Sequence, residues 1–152
     1  MTDLLEAPAV VAQGGAGRLN VPANRLLRGA EAQLRQARRP DEVFERFAHT
    51  HYAALRLVGA VVAVSETAKR IPRGHSPWDR LIRTVPELAH WALRFEGAAK
   101  VRAALDAGNF AAVDLAGVER WIALTEEFRA GVFAWFGLDP LLDFDSQYTF
   151  VP

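Results

Sequence analysis

The spacing of apolar residues predicts four long amphipathic helices with one short helix among them. Apolar positions recur every three or four residues, which is the period of one face of an α-helix. The first helix has start signals at Asn20 and Pro22, and the sequence ARRP at 37–40 ends it. Its predicted inward face consists of Leu27, Ala30, Leu34 and Ala37.

A second helix is predicted to begin at Pro40 and to extend to about Ser65. Asp41 and Glu42 lie in its first turn, where the helix dipole favours negative charge. One continuous apolar stripe is expected to face the core, and it comprises Phe44, Phe47, Ala48, His51, Leu55, Val58 and Val62.

Three further helices follow a polar linker that is rich in glycine and proline. Ser76 and Pro77 are typical of an N-cap and a first helical position, so a short helix is expected over 77–84. A single helix is predicted from Pro86 to Gly108, and the last long helix covers about 113–136. The inward face of the last helix is expected to contain Val118, Trp121, Ile122, Thr125, Phe128, Val132 and Phe136.

These elements favour an all-α fold, an antiparallel four- to five-helix bundle joined by short turns. Residues 1–19 are expected to form a flexible N-terminal tail, 20–138 the bundle, and 139–152 an acidic, aromatic tail packed on the bundle. The only strand-like signal is in YTFVP at 148–152.

The amino-acid composition excludes several classes of functional site. The 152 residues include no cysteine, which excludes disulfides, cysteine-ligated zinc and thiol nucleophiles and fits a reducing compartment. No apolar run approaches the roughly 20 residues of a membrane span, and the N-terminus lacks the basic residues of a signal peptide. We therefore expect a soluble cytoplasmic protein with no membrane association.

The chain is neutral overall, but its charges are unevenly distributed. Residues 18–102 hold 16 Lys and Arg against 8 Asp and Glu, whereas residues 103–152 hold 2 against 8. Such asymmetry serves either a nucleic-acid face or the packing of a basic half against an acidic one, in the same chain or in a second subunit.

The second helix contains the main candidates for chemistry, in ERFAHTHYAALR at 45–56. Arg46 and His51 differ by about 140° in azimuth on one helix and point apart, whereas Arg46 and His49 are neighbours. His49 and His51 lie about 200° apart and cannot chelate one metal. His51 falls on the apolar stripe, where it is either a core histidine or faces a groove or a partner subunit.

The chain from about Arg39 to Gln147 resembles the HEPN domains, small all-α bundles that occur alone, with nucleotidyltransferases and in toxin systems. The likeness is closest to a stand-alone actinobacterial branch. Arg46, four intervening residues and His51 reproduce the arginine-x(4 to 6)-histidine signature within RFAHTHYAALRLVGAVVAV. The segments VPELAHWALRFEGAAKVRAAL and VERWIALTEEF carry the rest of the likeness.

The resemblance implies a homodimer that brings Arg46 and His51 of both subunits to a shared cleft. Active members of the family cut RNA there without metal, with the histidine moving a proton and the arginine stabilising phosphate charge. Their signature usually lies on the last core helix, with a polar residue after the arginine, whereas here it lies on the second helix and Phe47 follows Arg46. Several branches are non-catalytic binding or scaffolding modules, so a protein-interaction role remains the alternative.

The linker after the second helix offers a separate candidate surface. Cations around an aromatic ring are typical of contacts to single-stranded nucleic acid, although exposed loops are also basic simply to stay solvated. The predicted RNA-binding residues are Lys69, Arg70, Arg73, Trp78, Arg80 and Arg83. The sequence predicts no metal site and no cofactor.

Overall fold

The computed structural model describes residues 19–65, 70–72 and 74–148, and within them it is an all-α bundle of seven helices. The prediction of an all-α fold is confirmed. The helices are α1 (Val21–Ala37), α2 (Val43–Ala63), α3 (Pro77–Thr84), α4 (Ala89–Arg94), α5 (Ala98–Asp106), α6 (Leu115–Trp135) and α7 (Phe144–Gln147).

Polar side chains cap the starts of α1, α3 and α6, and the sequence had indicated the first two of these caps. Asn20 accepts a hydrogen bond from the Ala23 amide at the start of α1, and Ser76 accepts one from Asp79 at the start of α3. Asp114 accepts one from Gly117 at the start of α6. Each side chain satisfies one amide that has no partner inside its helix, which fixes where these helices begin.

α1 runs antiparallel to both α2 and α6. The Asn20 side-chain amide donates to the Ala63 carbonyl at 3.0 Å, so the start of α1 meets the end of α2. Between α1 and α6, Glu31 pairs with Arg129 and Arg38 pairs with Glu126. The two longest helices therefore share one direction, with α1 against them.

The inward face of α2 differs from the predicted stripe. Phe44 is 40% exposed, and the buried residues are Phe47, Thr50, Ala53, Ala54, Leu57, Val58, Ala60 and Val61. Small residues form much of this face because α1 approaches closely, and a pattern weighted by hydropathy underrates alanine and threonine. The Thr50 hydroxyl remains satisfied because it donates to the Arg46 carbonyl at 2.8 Å.

The single helix predicted from Pro86 to Gly108 is wrong. The chain forms a short 3-10 turn, Pro86–Leu88, followed by α4, a turn through Phe95 to Gly97, and α5. The Phe95 ring is buried and stacks on Trp78, with centroids 4.8 Å apart. We attribute the break to this packing, which holds Phe95 in the core while Gly97 carries no side chain.

Other predicted boundaries were nearly right. α2 begins at Val43 rather than Pro40, and α6 covers 115–135 rather than 113–136. Gly108 and Gly137 have positive φ angles of 92° and 78°, the backbone conformation with which glycine ends a helix. The strand-like signal at 148–152 lies outside the described residues except for Tyr148, which is buried.

The segment after α6 lies against the bundle. Phe144 and Tyr148 are buried and their rings stack with centroids 5.0 Å apart. Arg129 donates to the carbonyls of Pro140 and Leu142, both at 2.9 Å. α7 is therefore tied to the body of the protein by both apolar and polar contacts.

Candidate functional site

Arg46 is bound by two other helices. Its Nε donates to the carbonyl oxygen of Ala37 at 2.8 Å, and its Nη2 donates to Glu119 Oε2 at 2.7 Å. Only 12% of its side chain is exposed. The last carbonyls of a helix lack partners within that helix, so Arg46 completes the end of α1 while it ties α2 to α6.

A polar cleft opens beside this arginine. It has a volume of about 380 Å³ and is lined by Arg38, Arg46, Glu119, Ile122, Ala123 and Glu126. Arg38 also forms an ion pair with Glu126. Two carboxylates thus balance the two guanidinium groups, and the cleft carries no net positive charge to attract an anion.

His51 points to a different part of the molecule. Its ring is partly buried and stacks on Phe47, with centroids 6.0 Å apart and 11° between the planes. In the described part of the chain the imidazole forms no hydrogen bond. Burial lowers the pKa of His51 below 6.5, the positive charge of Arg102 lowers it further, and Asp106 opposes them. The ring is therefore neutral at neutral pH, the form in which a histidine accepts a proton.

Next to His51 lies a group of side chains that we call the Tyr52 cluster, made of Tyr52, Arg56, Arg102 and Asp106. Arg102 comes from α5; its Nη2 donates to the Tyr52 hydroxyl at 2.8 Å, and its guanidinium carbon lies 4.8 Å from the ring centroid. Its Nε donates to Asp106 at 3.1 Å. The Arg56 guanidinium lies 5.8 Å from the same ring.

Arg46 and His51 do not meet within the protomer. Arg46 is engaged with α1 and α6, while the charged groups that act on His51 belong to α5. This agrees with the helical geometry expected from their five-residue separation. His49, the neighbour of Arg46 on α2, is hydrogen-bonded instead to Gln33 on α1, with 2.7 Å between the two atoms.

The predicted RNA-binding linker is only partly described, since Lys69 and Arg73 lie outside the described residues. Arg70 is exposed, and the Arg80 guanidinium donates to the Pro72 carbonyl at 3.4 Å. The Trp78 ring is partly buried, and besides Phe95 it packs on Phe128 with centroids 5.4 Å apart. Much of that ring therefore belongs to the core and is not free to stack on a base.

Asp79 organises the polar residues of α3. It contacts His75 closely and accepts a hydrogen bond from Arg83 at 3.2 Å. The hydrogen bond from His75, and then that from Arg83, lower the pKa of the Asp79 carboxyl below its ordinary value. Arg83, a predicted RNA contact, is thus already paired in the structure.

The sequence interpretation missed the Tyr52 cluster. The four-residue spacings of Tyr52 with Arg56 and of Arg102 with Asp106 were visible signals, because residues so spaced are neighbours on a helix. No sequence pattern indicated that α5 would cross beside His51, since that depends on the break after α4.

Among the described residues there is neither a cluster of metal-binding side chains nor a helix that could cross a membrane. No group of three or more histidine, aspartate or glutamate side chains is arranged to hold a metal ion. No helix among those residues has both the length and the apolar character needed to cross a membrane.

The fold and the site together define a small all-α bundle whose second helix carries an arginine and a histidine with four residues between them. The sequence model of the SAV_6107-like HEPN family matches residues 37–132, which is more than half of the chain. The chain therefore belongs to the HEPN family, and the resemblance inferred from its sequence is confirmed. No curated protein and no solved structure matches the chain.

Proposed function

We propose that this HEPN protein binds RNA or a nucleotide-containing partner at the surface formed by His51 and the Tyr52 cluster. The observation that carries this proposal is the neutral, partly exposed imidazole of His51 beside the Arg102 guanidinium. A guanidinium binds phosphate oxygens through charge-assisted hydrogen bonds, and a neutral imidazole accepts a proton, so the pair suits a ribose phosphate.

In the sharper form of the proposal the protein is a metal-independent endoribonuclease that acts at a dimer cleft. His51 takes the proton of a ribose 2′-hydroxyl, and the 2′-oxygen attacks the adjacent phosphorus. The bond from phosphorus to the 5′-oxygen breaks, and His51 returns its proton to that leaving oxygen. The products are a 2′,3′-cyclic phosphate and a 5′-hydroxyl end. A guanidinium stabilises the negative charge that develops on the phosphate oxygens.

The two-fold arrangement gives Arg46 a place in this proposal. Within a protomer Arg46 cannot reach His51, but a homodimer with α2 near its symmetry axis brings each arginine toward the partner subunit. The cations of the linker, among which Arg70 is exposed, would then guide the RNA backbone toward the cleft.

Binding is tested with purified protein and a fluorescently labelled single-stranded RNA. We expect His51→Ala to weaken binding, while His90→Ala serves as the matched control because His90 is exposed and follows Arg83 at a similar spacing. Wild-type protein that does not bind RNA, or equal losses in the two variants, would refute the proposal.

Cleavage is tested separately with the same RNA in the presence of EDTA. We expect cleaved ends that carry a cyclic phosphate, with activity lost in both Arg46→Ala and His51→Ala. Equal activity in wild type and variants would show a contaminating nuclease or a different site. The mass of the protein in solution reports the dimer, and a monomer at all protein concentrations would contradict the cross-subunit cleft.

One observation favours a second candidate, a non-catalytic interaction module. The Arg46 side chain is largely buried and bound to Ala37 and Glu119, which is the environment of a structural residue. If this candidate is right, wild-type protein cuts no RNA in the cleavage assay, and Arg46→Ala lowers thermal stability.

A further inference from the structure

Arg102 and His51 both lie close to Tyr52 in the same protomer: the His51 and Tyr52 ring centroids are 6.1 Å apart, and the Arg102 guanidinium carbon lies 4.8 Å from the Tyr52 ring centroid. Nε of Arg102 is bound to Asp106 and one N–H of its Nη2 to the Tyr52 hydroxyl. A guanidinium has five N–H donors, so three remain after these two bonds. A quarter of the side chain, 25%, is exposed, and the group is therefore both oriented and accessible.

Arg46 is less available than Arg102 to bind a phosphate. Its side chain is 12% exposed and its bonds join three helices, so its release would disturb the end of α1. Glu119 also neutralises its charge at 2.7 Å. Both carboxylate partners are more than half exposed, Glu119 at 56% and Asp106 at 61%, so the two arginines differ in their own exposure and in the Ala37 carbonyl that Arg46 also binds.

Tyr52 connects Arg102 to a second cation. Both Arg56 and Arg102 lie within 6 Å of the Tyr52 ring centroid, at 5.8 Å and 4.8 Å, which is the range of a cation–π contact. The Arg56 stem lies over Gly29, where an added Cβ would come within 2.9 Å of its Cδ, and the Arg56 Nη1 donates to the Tyr52 carbonyl at 3.4 Å. With His51 neutral, the two arginines outweigh Asp106 and leave this surface with a net positive charge.

We propose that Arg102, and not Arg46, is the guanidinium that binds the RNA phosphate next to His51, with Tyr52 as the residue that positions it. The inference rests on the proposed RNA binding and adds that a single protomer holds a complete phosphate-binding site. Dimer formation then governs cleavage, whereas binding persists in the monomer.

The test compares Arg102→Gln with Lys100→Gln by fluorescence anisotropy on a labelled mixed-sequence single-stranded RNA. Both variants remove one positive charge from α5, but the two residues lie about 200° apart on the helix. Glutamine keeps much of the Arg102 stem, and Arg102→Lys provides a second variant that keeps the charge without the planar fork. Circular dichroism melts confirm that each variant is folded.

We expect Arg102→Gln to weaken binding about tenfold or more and to reduce the slope of log affinity against log salt by about 0.7, the value for one phosphate contact on a single strand. Lys100→Gln should change affinity by less than about threefold, the scale of a distant surface charge. Arg102→Lys should fall between wild type and Arg102→Gln.

The positioning role of Tyr52 is tested with a double-mutant cycle. Tyr52→Phe removes the hydroxyl that holds Arg102, so it should weaken RNA binding in the wild-type background and have no effect when Arg102 is already glutamine. Equal effects in both backgrounds would show that Tyr52 does not act through Arg102.

The outcomes separate the two proposals. If wild-type protein binds RNA and Arg102→Gln has the same RNA affinity as Lys100→Gln, the assignment of Arg102 is overturned. RNA binding at the His51 surface is then decided separately by the affinity of His51→Ala. If Arg46→Ala removes binding and Arg102→Gln does not, the phosphate contact belongs to Arg46. If wild-type protein binds no RNA, both proposals fail together.

Discussion

Arg129 holds the segment after α6 to the rest of the bundle. Removing this arginine should lower the free energy of unfolding more than removing an exposed arginine. Its side chain is 15% exposed and that of Glu31 is 12% exposed, with N–O distances of 2.7 and 3.0 Å between them. The guanidinium also lies 3.9 Å from the centroid of the Phe133 ring. Glu31 in turn accepts a hydrogen bond from the Phe144 amide at 3.0 Å.

The expected magnitude follows from these contacts. Removing one partner of a buried ion pair costs about 3–5 kcal/mol because the other charge stays buried without compensation. Arg129 and Glu31 keep a small exposed fraction, so Arg129→Ala should lie near the lower end, about 3 kcal/mol. For a domain of this size each kcal/mol lowers Tm by about 2–4 °C, which gives a fall of about 6–12 °C.

The matched control is Arg28→Ala. Arg28 also joins α1 to the C-terminal segment, through a 2.8 Å contact to Asp145, but these side chains are 49% and 71% exposed. An exposed pair contributes about 0–1 kcal/mol, so Tm should fall by less than about 4 °C.

Differential scanning calorimetry and urea titration of both variants provide the measurement. The reasoning is refuted if Arg129→Ala is no less stable than Arg28→Ala. A double variant, Glu31→Gln with Arg129→Met, checks the cause, because removing both charges should recover part of the stability lost in Arg129→Ala. No recovery would mean that the carbonyl contacts of Arg129, not its ion pair, dominate the loss.

Three other predictions concern residues described above. Because the pKa of His51 is lowered in the folded state, the unfolded chain binds more protons than the folded protein just below pH 6.5. Neutral His51 therefore makes its full contribution to folding stability above that pH. That contribution is lost as pH falls through the folded-state pKa. His51→Gln should therefore flatten the acid side of a plot of urea midpoint against pH, and an unchanged slope would contradict the assignment. Asn20→Ala removes the N-cap of α1 and the bond to Ala63, at a cost of about 1–2 kcal/mol by urea titration; Asn109→Ala, at a position whose side chain caps no helix, should cost less. Phe128→Ala should lower the free energy of unfolding by about 3–5 kcal/mol, since that ring is fully buried and contacts Trp78, Trp91 and Phe95. A folded variant with unchanged Tm would disprove its central place in the core.

The sequence was most informative where a local pattern of a few residues determines the structure, as at helix caps. Asn20 and Ser76 stand directly before apolar helical patterns, and both cap helices in the structure. The last helix was predicted well because large apolar residues dominate its inward face, with Val118, Ile122, Phe128 and Val132 all buried. Local chemistry alone fixes these features.

The sequence was less informative where long-range packing decides. The inward face of α2 depends on how closely α1 approaches, which favours Ala53 and Ala54 over the larger Leu55. Phe95, in the turn after α4, stacks on the Trp78 ring, which comes from another helix. Tyr52 and Arg102 lie 50 residues apart, so their contact follows from tertiary structure, and only the pairs within each helix had a local signal.

The turn through Phe95 to Gly97 links the interior to the surface in an unexpected way. It separates α4 from α5, and α5 brings Arg102 to Tyr52. Exchange of one interior aromatic for another near Trp78 should therefore shift the orientation of α5, even though no surface residue is altered. Relatives with identical exposed side chains but one continuous helix in place of α4 and α5 would then carry the arginine of α5 to a different place on the surface.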